Sequence, residues 1–374
     1  MKALITAVVG LVVCASAMAA EAPTTAPKPR PAVEVAFVLD TTGSMSGLIA
    51  GAKQKIWSIA NQIMSGKPRP TVRFGLIGYR DQGDEYVTKV FDLTTNIDKI
   101  YEELTEFKAQ GGGDTPEHVN KALAEAVDKM TWTTDRKALK IIFLVGDAPP
   151  HMDYTDGHDY RKSARAAIAR GIVINTIRCG GMPETEKVWR EIADLAEGKF
   201  VSIDQSGGVQ TISTPMDGKL ADLSRELGET RVAYGSRERR EEAERLHAAV
   251  EGALSKPAEA PAAADRAAFR AARGRLSEDD LLDAIKDKKV DLDKVKEEEL
   301  PEKLRAMTRE ERKKYLDNLA AKRQKILQEI KQLNEKRQEY IKKELARRAG
   351  KGDAFDQQVL KMLREQAEKA GIKY

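Results

Sequence analysis

The chain of 374 residues carries 63 Lys and Arg against 59 Asp and Glu, a formal net charge of +4. Signs this balanced and interspersed give no basis for nucleic-acid binding, which needs a one-sided basic surface. At 41% hydrophobic and 33% charged residues, the chain can bury one substantial core but is too polar for two of equal quality.

Lys2 precedes an apolar run at 3–15, and Ala17-Met18-Ala19 has the small-x-small form of a signal-peptidase site. Residues 1–20 therefore read as a signal peptide cut after Ala19 or Ala20, which makes the protein exported, periplasmic or secreted. The run is too short for a spanning helix, so no transmembrane anchor is expected after cleavage. Cys14 would suit lipid attachment only behind a small residue, and Val13 is not small. With Cys14 removed, Cys179 is the one cysteine left; no disulfide forms within the mature chain, and Cys179 reads as a small buried hydrophobe. Residues 21–32 are a Pro/Ala linker.

From there apolar strands are predicted at 33–39, 71–79, 86–92, 139–146, 172–178 and 199–203. Helical periodicity falls at 46–65, 96–108, 116–131, 157–170, 184–197 and from 208 onward. Strands alternating with helices imply an α/β, doubly wound, mostly parallel sheet, with ligands at the carboxyl ends of its strands. The segment 71–92 differs: its two strands, joined across 81–85, read as a hairpin that adds one antiparallel edge strand.

The first strand runs into Asp40-Thr-Thr-Gly-Ser44. Asp40, Thr42 and Ser44 alternate, so three oxygens converge while Gly43 permits a sharp turn. Oxygen-only ligands suit Mg²⁺, Mn²⁺ or Ca²⁺ and suit zinc or copper poorly. Alone, this segment also reads as an ordinary turn with a helix cap. Two further segments shift the balance: Gly111-Gly-Gly-Asp-Thr-Pro-Glu117, which opens a predicted helix with another hydroxyl, and the strand 141–147, which ends in Asp147.

Together these residues resemble the von Willebrand factor type A (vWA) domain and its metal-ion-dependent adhesion site. That pattern is Asp-x-Ser-x-Ser on the first strand, a Thr in a later loop and an Asp after the fourth strand. Asp40, Thr42, Ser44, Thr115 and Asp147 supply it in order, with Thr42 in place of the first Ser. The resemblance covers about residues 33–225 and implies a Rossmann-like fold. It also implies a Mg²⁺ (or Mn²⁺ or Ca²⁺) ion held directly by the hydroxyls of Thr42, Ser44 and Thr115 and largely through water by Asp40 and Asp147. With few direct negative ligands such an ion stays electrophilic, and an Asp or Glu carboxylate of a partner protein completes its coordination. The implied function is adhesion-type binding rather than enzymatic. The last helix of such a domain can shift when the acidic ligand engages the metal.

Near this site, Arg80, Asp81, Asp114 and His151 are candidate rim or ligand contacts. Each also has a plainer role: a strand-end ion pair for Arg80 and Asp81, a capping box for Asp114 with Glu117, with Pro116 in the first helical turn, and a structural loop histidine for His151. Catalysis through Ser44 and His151 would need a hydrogen bond between them, in competition with the metal. The chain has no phosphate-binding loop or Gly-rich nucleotide loop to suggest ATP-dependent or kinase activity.

Residues 226–264 read as a trailing helix and a second linker, the Pro/Ala stretch 256–264, leading to a charged, helical, coiled-coil-like region at 265–374. Ser277-Glu-Asp-Asp opens one helix, and Thr308-Arg-Glu-Glu311 is a capping box for a long helix at 309–348. Leu319, Ile326, Leu333 and Tyr340 recur every seven residues. The partner positions Leu316, Arg323, Ile330 and Arg337 are only half apolar, too weak for a long two-stranded coiled coil. The expected arrangement is a helical hairpin in which Phe355, Val359, Leu360 and Leu363 fold back on this stripe; self-association through the helix and a solvated single helix are the alternatives. A scaffold role through these helices, with the cation only stabilising the fold, is the rival function.

Overall fold

The computed structural model of the protein describes residues 30–208, 211–347 and 355–374. The expected signal peptide, Cys14 and most of the expected 21–32 linker lie outside these residues. Strand β1 (Ala32–Asp40) is buried along nearly its whole length. Its alternate residues serve opposite faces: Val35, Phe37 and Leu39 enter one apolar cluster, Ala36 and Val38 the other. A strand covered on both sides must read as a continuous apolar run, as this one does.

β1 lies at the centre of a six-stranded sheet ordered β3-β2-β1-β4-β5-β6, with β2 at Thr71–Tyr79, β3 at Thr88–Thr94, β4 at Leu139–Gly146, β5 at Ile172–Cys179 and β6 at Phe200–Ile203. Pairing is parallel throughout except between β2 and β3, the expected antiparallel edge. Helices α1 (Ser46–Met64) and α2 (Ile97–Glu106) cover one face. Helices α3 (Val119–Asp128), α4 (Tyr160–Ala169) and α5 (Pro183–Leu195) cover the other. The chain leaves β1 towards β2 on one side and returns as β4 on the other, so the sheet has its topological switch point between β1 and β4, where ligands of such sheets bind. Cys179 is buried at the end of β5, where burial, with Asp147 and Asp40 nearby, pushes its thiol well above the usual range.

Three helix starts differ from the periodicity; α4 begins at Tyr160 rather than 157, with Asp159 as its N-cap accepting from Arg161 N. α3 begins at Val119 rather than 116, because the backbone of Glu117 pairs with the loop after β4: its N–H donates to Pro149 O (2.9 Å) and its carbonyl accepts from His151 N (3.1 Å). No helix starts at 208; α6 (Asp217–Glu229) begins later, where the Asp217 carboxylate accepts from Thr214 N (2.7 Å) and Thr214 Oγ1 (2.9 Å).

The larger departures lie in the C-terminal third. Residues 256–264 are not a linker: after α7 (Arg237–Leu254) a short 3₁₀ turn leads into α8 (Ala260–Arg273), buried continuously from Pro261 to Arg270. Its alanines allow close approach to α1 and α6, and Phe269 meets Trp57 of α1 edge to face at 5.6 Å. After the short helices α9 (Leu281–Lys286) and α10 (Glu302–Arg305) comes α11 (Arg309–Arg347), 39 residues and about 60 Å long at 1.5 Å per residue. α11 packs on α6 and α8. The half-apolar row is its buried row: Leu316, Arg323, Ile330 and Arg337 all face inward. Arg323 pairs with Asp280 and Asp283 at 2.8 and 3.1 Å, and Arg337 with Asp217 and Asp265 at 2.6 Å each. Tyr340 is exposed.

The helical hairpin is also not formed. α12 (Phe355–Lys369) turns to the sheet instead, and Phe355, Val359, Leu360 and Leu363 join the cluster of β1, β4 and α1. Phe355 lies 6.3 Å from the ring of Phe37, and Gln366 exchanges two buried hydrogen bonds with Asn175 of β5 (3.0 and 2.8 Å). α12 thus covers the same sheet face as α1. Among the described residues no helix is long and apolar enough to cross a membrane.

Candidate metal centre

Asp40 ends β1 and Asp147 follows β4. Leu39 pairs with Val145 across the two strands, so the acids stand side by side at the switch point. Thr42 and Ser44 follow in a 3₁₀ turn at Gly43–Met45. Gly43 has an ordinary φ there; its N–H donates to Gly111 O at 3.3 Å, which ties the turn to the glycine-rich loop. Gly112 takes a left-handed φ of +81°. A Cβ there would come within 3.2 Å of Glu117 Oε1 and 3.3 Å of Thr42 Cβ. Glycine is needed both for the turn and for the approach of the loop to the acids.

A pocket opens between these segments. It is lined by Thr42, Ser44, Thr115, Glu117 and Asp147, with Asp114 at its edge. Asp40 is fully buried behind it; its Oδ1 accepts from Thr42 N at 2.8 Å and Thr42 Oγ1 at 2.6 Å. Thr42 Oγ1 in turn lies 3.4 Å from Ser44 Oγ, and Asp147 Oδ2 accepts from Gln205 Nε2 at 2.6 Å. The five residues of the sequence motif are thus brought to one place. Glu117 joins them, and the sequence reading had given it only a capping role. The buried α3 end has no such cap: its N-cap residue is His118, with no side-chain cap bond. The signal that would have found Glu117 is its place two residues after Thr115, in the same loop as a motif hydroxyl.

The electrostatics are those of crowded, desolvated carboxyls. Asp40 Oδ2 and Glu117 Oε2 are buried without a hydrogen-bond partner. Burial, and then the charge of Asp147, pushes the Asp40 carboxyl up to about 7. Burial, and then the charges of Asp40, Asp81, Asp84 and Asp147, pushes Glu117 up to about 9. Orphaned buried oxygens beside crowded carboxyls are costly unless a cation takes the lone pairs. The donor set, hydroxyls and carboxylates only, fits a hard divalent ion.

Of the rim candidates, Arg80 does not line the pocket. It is buried, donating to Thr41 O (3.2 Å) and Lys108 O (2.7 Å) and lying over Tyr86, and its ion pair is with Glu85 at 3.6 Å rather than with Asp81. It braces the loops that carry the site. Asp81, Asp114 and His151 do come together: His151 Nε2 lies 3.5 Å from Asp81 Oδ2 and 3.5 Å from Asp114 Oδ2. Among the described residues no hydrogen bond joins His151 to Ser44.

The sequence profile of the von Willebrand factor A domain matches residues 34–214, the segment that forms the sheet and its pocket. This chain carries a von Willebrand factor A domain. Von Willebrand factor A domain-containing protein 7 of Homo sapiens is 36% identical over 205 residues, 54% of this chain and 21% of that protein. Its Rattus norvegicus counterpart is 38% identical over 120 residues, 32% of this chain and 12% of that protein. Human hemicentin-1 is 27% identical over 178 residues, 47% of this chain and 3% of that protein. The chain therefore spans about a fifth or less of the length of these relatives.

Proposed function

We propose that the vWA domain of this protein is a cation-dependent binding module that captures an acidic side chain of a partner protein, in an exported setting, without catalysing a reaction. Thr42, Ser44 and Thr115 supply hydroxyls to a Mg²⁺ ion (Mn²⁺ and Ca²⁺ being the alternative hard cations), and Asp40 and Asp147 supply carboxylates. Glu117 adds a third acid behind them. When bound, the ion offers a Lewis-acidic position to a carboxylate. The protein's own part is to hold the hydroxyls on the 3₁₀ turn and the glycine-rich loop, and to keep the two strand-end acids desolvated behind the ion. The observation that carries this reading is the pair of buried, unpartnered carboxylate oxygens, Asp40 Oδ2 and Glu117 Oε2, at the switch point of the sheet.

Export rests on residues 1–20 alone. The rival scaffold role loses support because α8, α11 and α12 spend their buried faces within the molecule; for the same reason self-association through α11 is not part of the proposal.

The test is affinity capture from an envelope extract with the chain immobilised, in Mg²⁺ and in EDTA, alongside Thr115→Ala. Partner capture should require Mg²⁺ and be lost in the variant. Capture that survives both EDTA and Thr115→Ala refutes the reading.

A further inference from the structure

Beside the pocket, three loops meet at a second cluster. Asp81 follows β2, Asp114 lies in the glycine-rich loop and His151 follows β4; one ligand atom from each lies within 4.8 Å of the others. Asp81 and His151 are 5% and 8% exposed. His151 Nε2 is buried with no hydrogen-bond partner, as is Asp81 Oδ1.

The other ring nitrogen settles what Nε2 presents. His151 Nδ1 is 2.8 Å from Asp153 Oδ1, so the carboxylate accepts the Nδ1 proton; in the neutral ring the lone pair is then on Nε2, which stands 3.5 Å from both Asp81 and Asp114. Tyr154 fixes the ring from its face, stacked at 4.2 Å and 13°, and its hydroxyl donates to Asp81 Oδ2 at 2.7 Å. A carboxylate holding the far nitrogen of an imidazole is how metal-bound histidines are oriented. The spacing also discriminates. Charge-assisted hydrogen bonds from a protonated ring run about 2.7–2.9 Å, and 3.5 Å to each carboxylate is too long for that. It matches the edge of a tetrahedron of ligands about 2.1 Å from its centre, which is about 3.4 Å.

We propose that Asp81, Asp114 and His151 form a second cation site, distinct from the oxygen-only pocket, that takes a divalent transition ion of the Zn²⁺ type. One imidazole and two carboxylates are a donor set for such an ion, whereas Mg²⁺ avoids nitrogen. An ion there pins Asp114, otherwise an exposed loop residue, next to Thr115, and so joins the loops after β2 and β4 to the rim of the first pocket. Asp153 and Tyr154 act as positioning residues.

The experiment uses the untagged full chain in excess Mg²⁺, titrated with Co²⁺ and followed by its visible absorption and by equilibrium dialysis, then challenged with Zn²⁺. One Co²⁺ per chain should bind and be displaced by Zn²⁺. His151→Phe, which keeps the stack on Tyr154, and Asp114→Ala, on an exposed loop, should each weaken binding at least tenfold. Asp153→Ala, with the ring retained, should cost about 10- to 100-fold. Ser44→Ala, which strips a hydroxyl from the first pocket, should leave Co²⁺ uptake in place, so that failure of the two sites is told apart. Absence of Co²⁺ uptake by the Mg²⁺-saturated protein overturns the proposal. So does uptake undiminished in His151→Phe, which would put the ion on the buried His118, on His158 or on a surface group.

Discussion

Replacing Asp40 with Asn should stabilise the metal-free protein at alkaline pH while removing its response to Mg²⁺. In the fold the Asp40 carboxyl is raised from its ordinary 3.8 to about 7, so the native state holds this proton more tightly than the unfolded chain does. For a carboxyl shifted upward, the contribution to stability is present at low pH and is lost as pH climbs from about 4 to about 7. Three powers of ten, at about 1.4 kcal/mol each, come to about 4 kcal/mol. Asn keeps an oxygen to accept from Thr42 N and Thr42 Oγ1 but carries no charge to desolvate. Between pH 5 and pH 8 the stability of wild type in EDTA should therefore fall relative to Asp40→Asn by about 3 kcal/mol, the two powers of ten between pH 5 and 7. Mg²⁺ at a hundred times its dissociation constant should restore about 2.7 kcal/mol to wild type and nothing to the variant. Urea unfolding followed by tryptophan fluorescence at the two pH values, with EDTA or Mg²⁺, reads both effects. A gap that does not widen with pH, or equal stabilisation of both proteins by Mg²⁺, would refute the assignment of Asp40 to a cation.

Three outcomes test how the helical region joins the sheet. Leu363→Ala empties a fully buried position under α12 and should cost about 3 kcal/mol in a single urea transition; two separated transitions would mean that α12 and the sheet do not unfold together. Arg337→Ala leaves Asp217 and Asp265 buried without their cation and should cost about 3–5 kcal/mol by the same assay, a loss under 1 kcal/mol contradicting the buried pair. Limited proteolysis should spare the segment 261–270, because its backbone is helical and inward-facing; early cleavage there, read by mass spectrometry, would restore the linker.

The alternation of apolar strands with periodic helices was enough to read the sheet, its antiparallel edge and the carboxyl-end location of the site, because both periods are local and each segment must bury its own apolar face. The spacing of Asp40, Thr42 and Ser44, with Thr115 and Asp147 behind, was legible for the same reason: the letters sit at strand ends that the pattern already marks. What the chain does with its C-terminal third was not legible. A Pro/Ala stretch reads as a linker from composition, yet the same small side chains let α8 lie close against α1 and α6, and only the presence of those neighbours chooses between the two. Arg323 and Arg337 break an apolar stripe on paper; their partners Asp280, Asp283, Asp217 and Asp265 lie 40 to 120 residues away in the chain, so no local pattern reveals that they are buried as ion pairs. Glu117 is the same case within the site. As a segment it resembles a helix cap, and it becomes part of the acidic cluster because its backbone pairs with the loop after β4, a contact that exists only once β1 and β4 lie side by side.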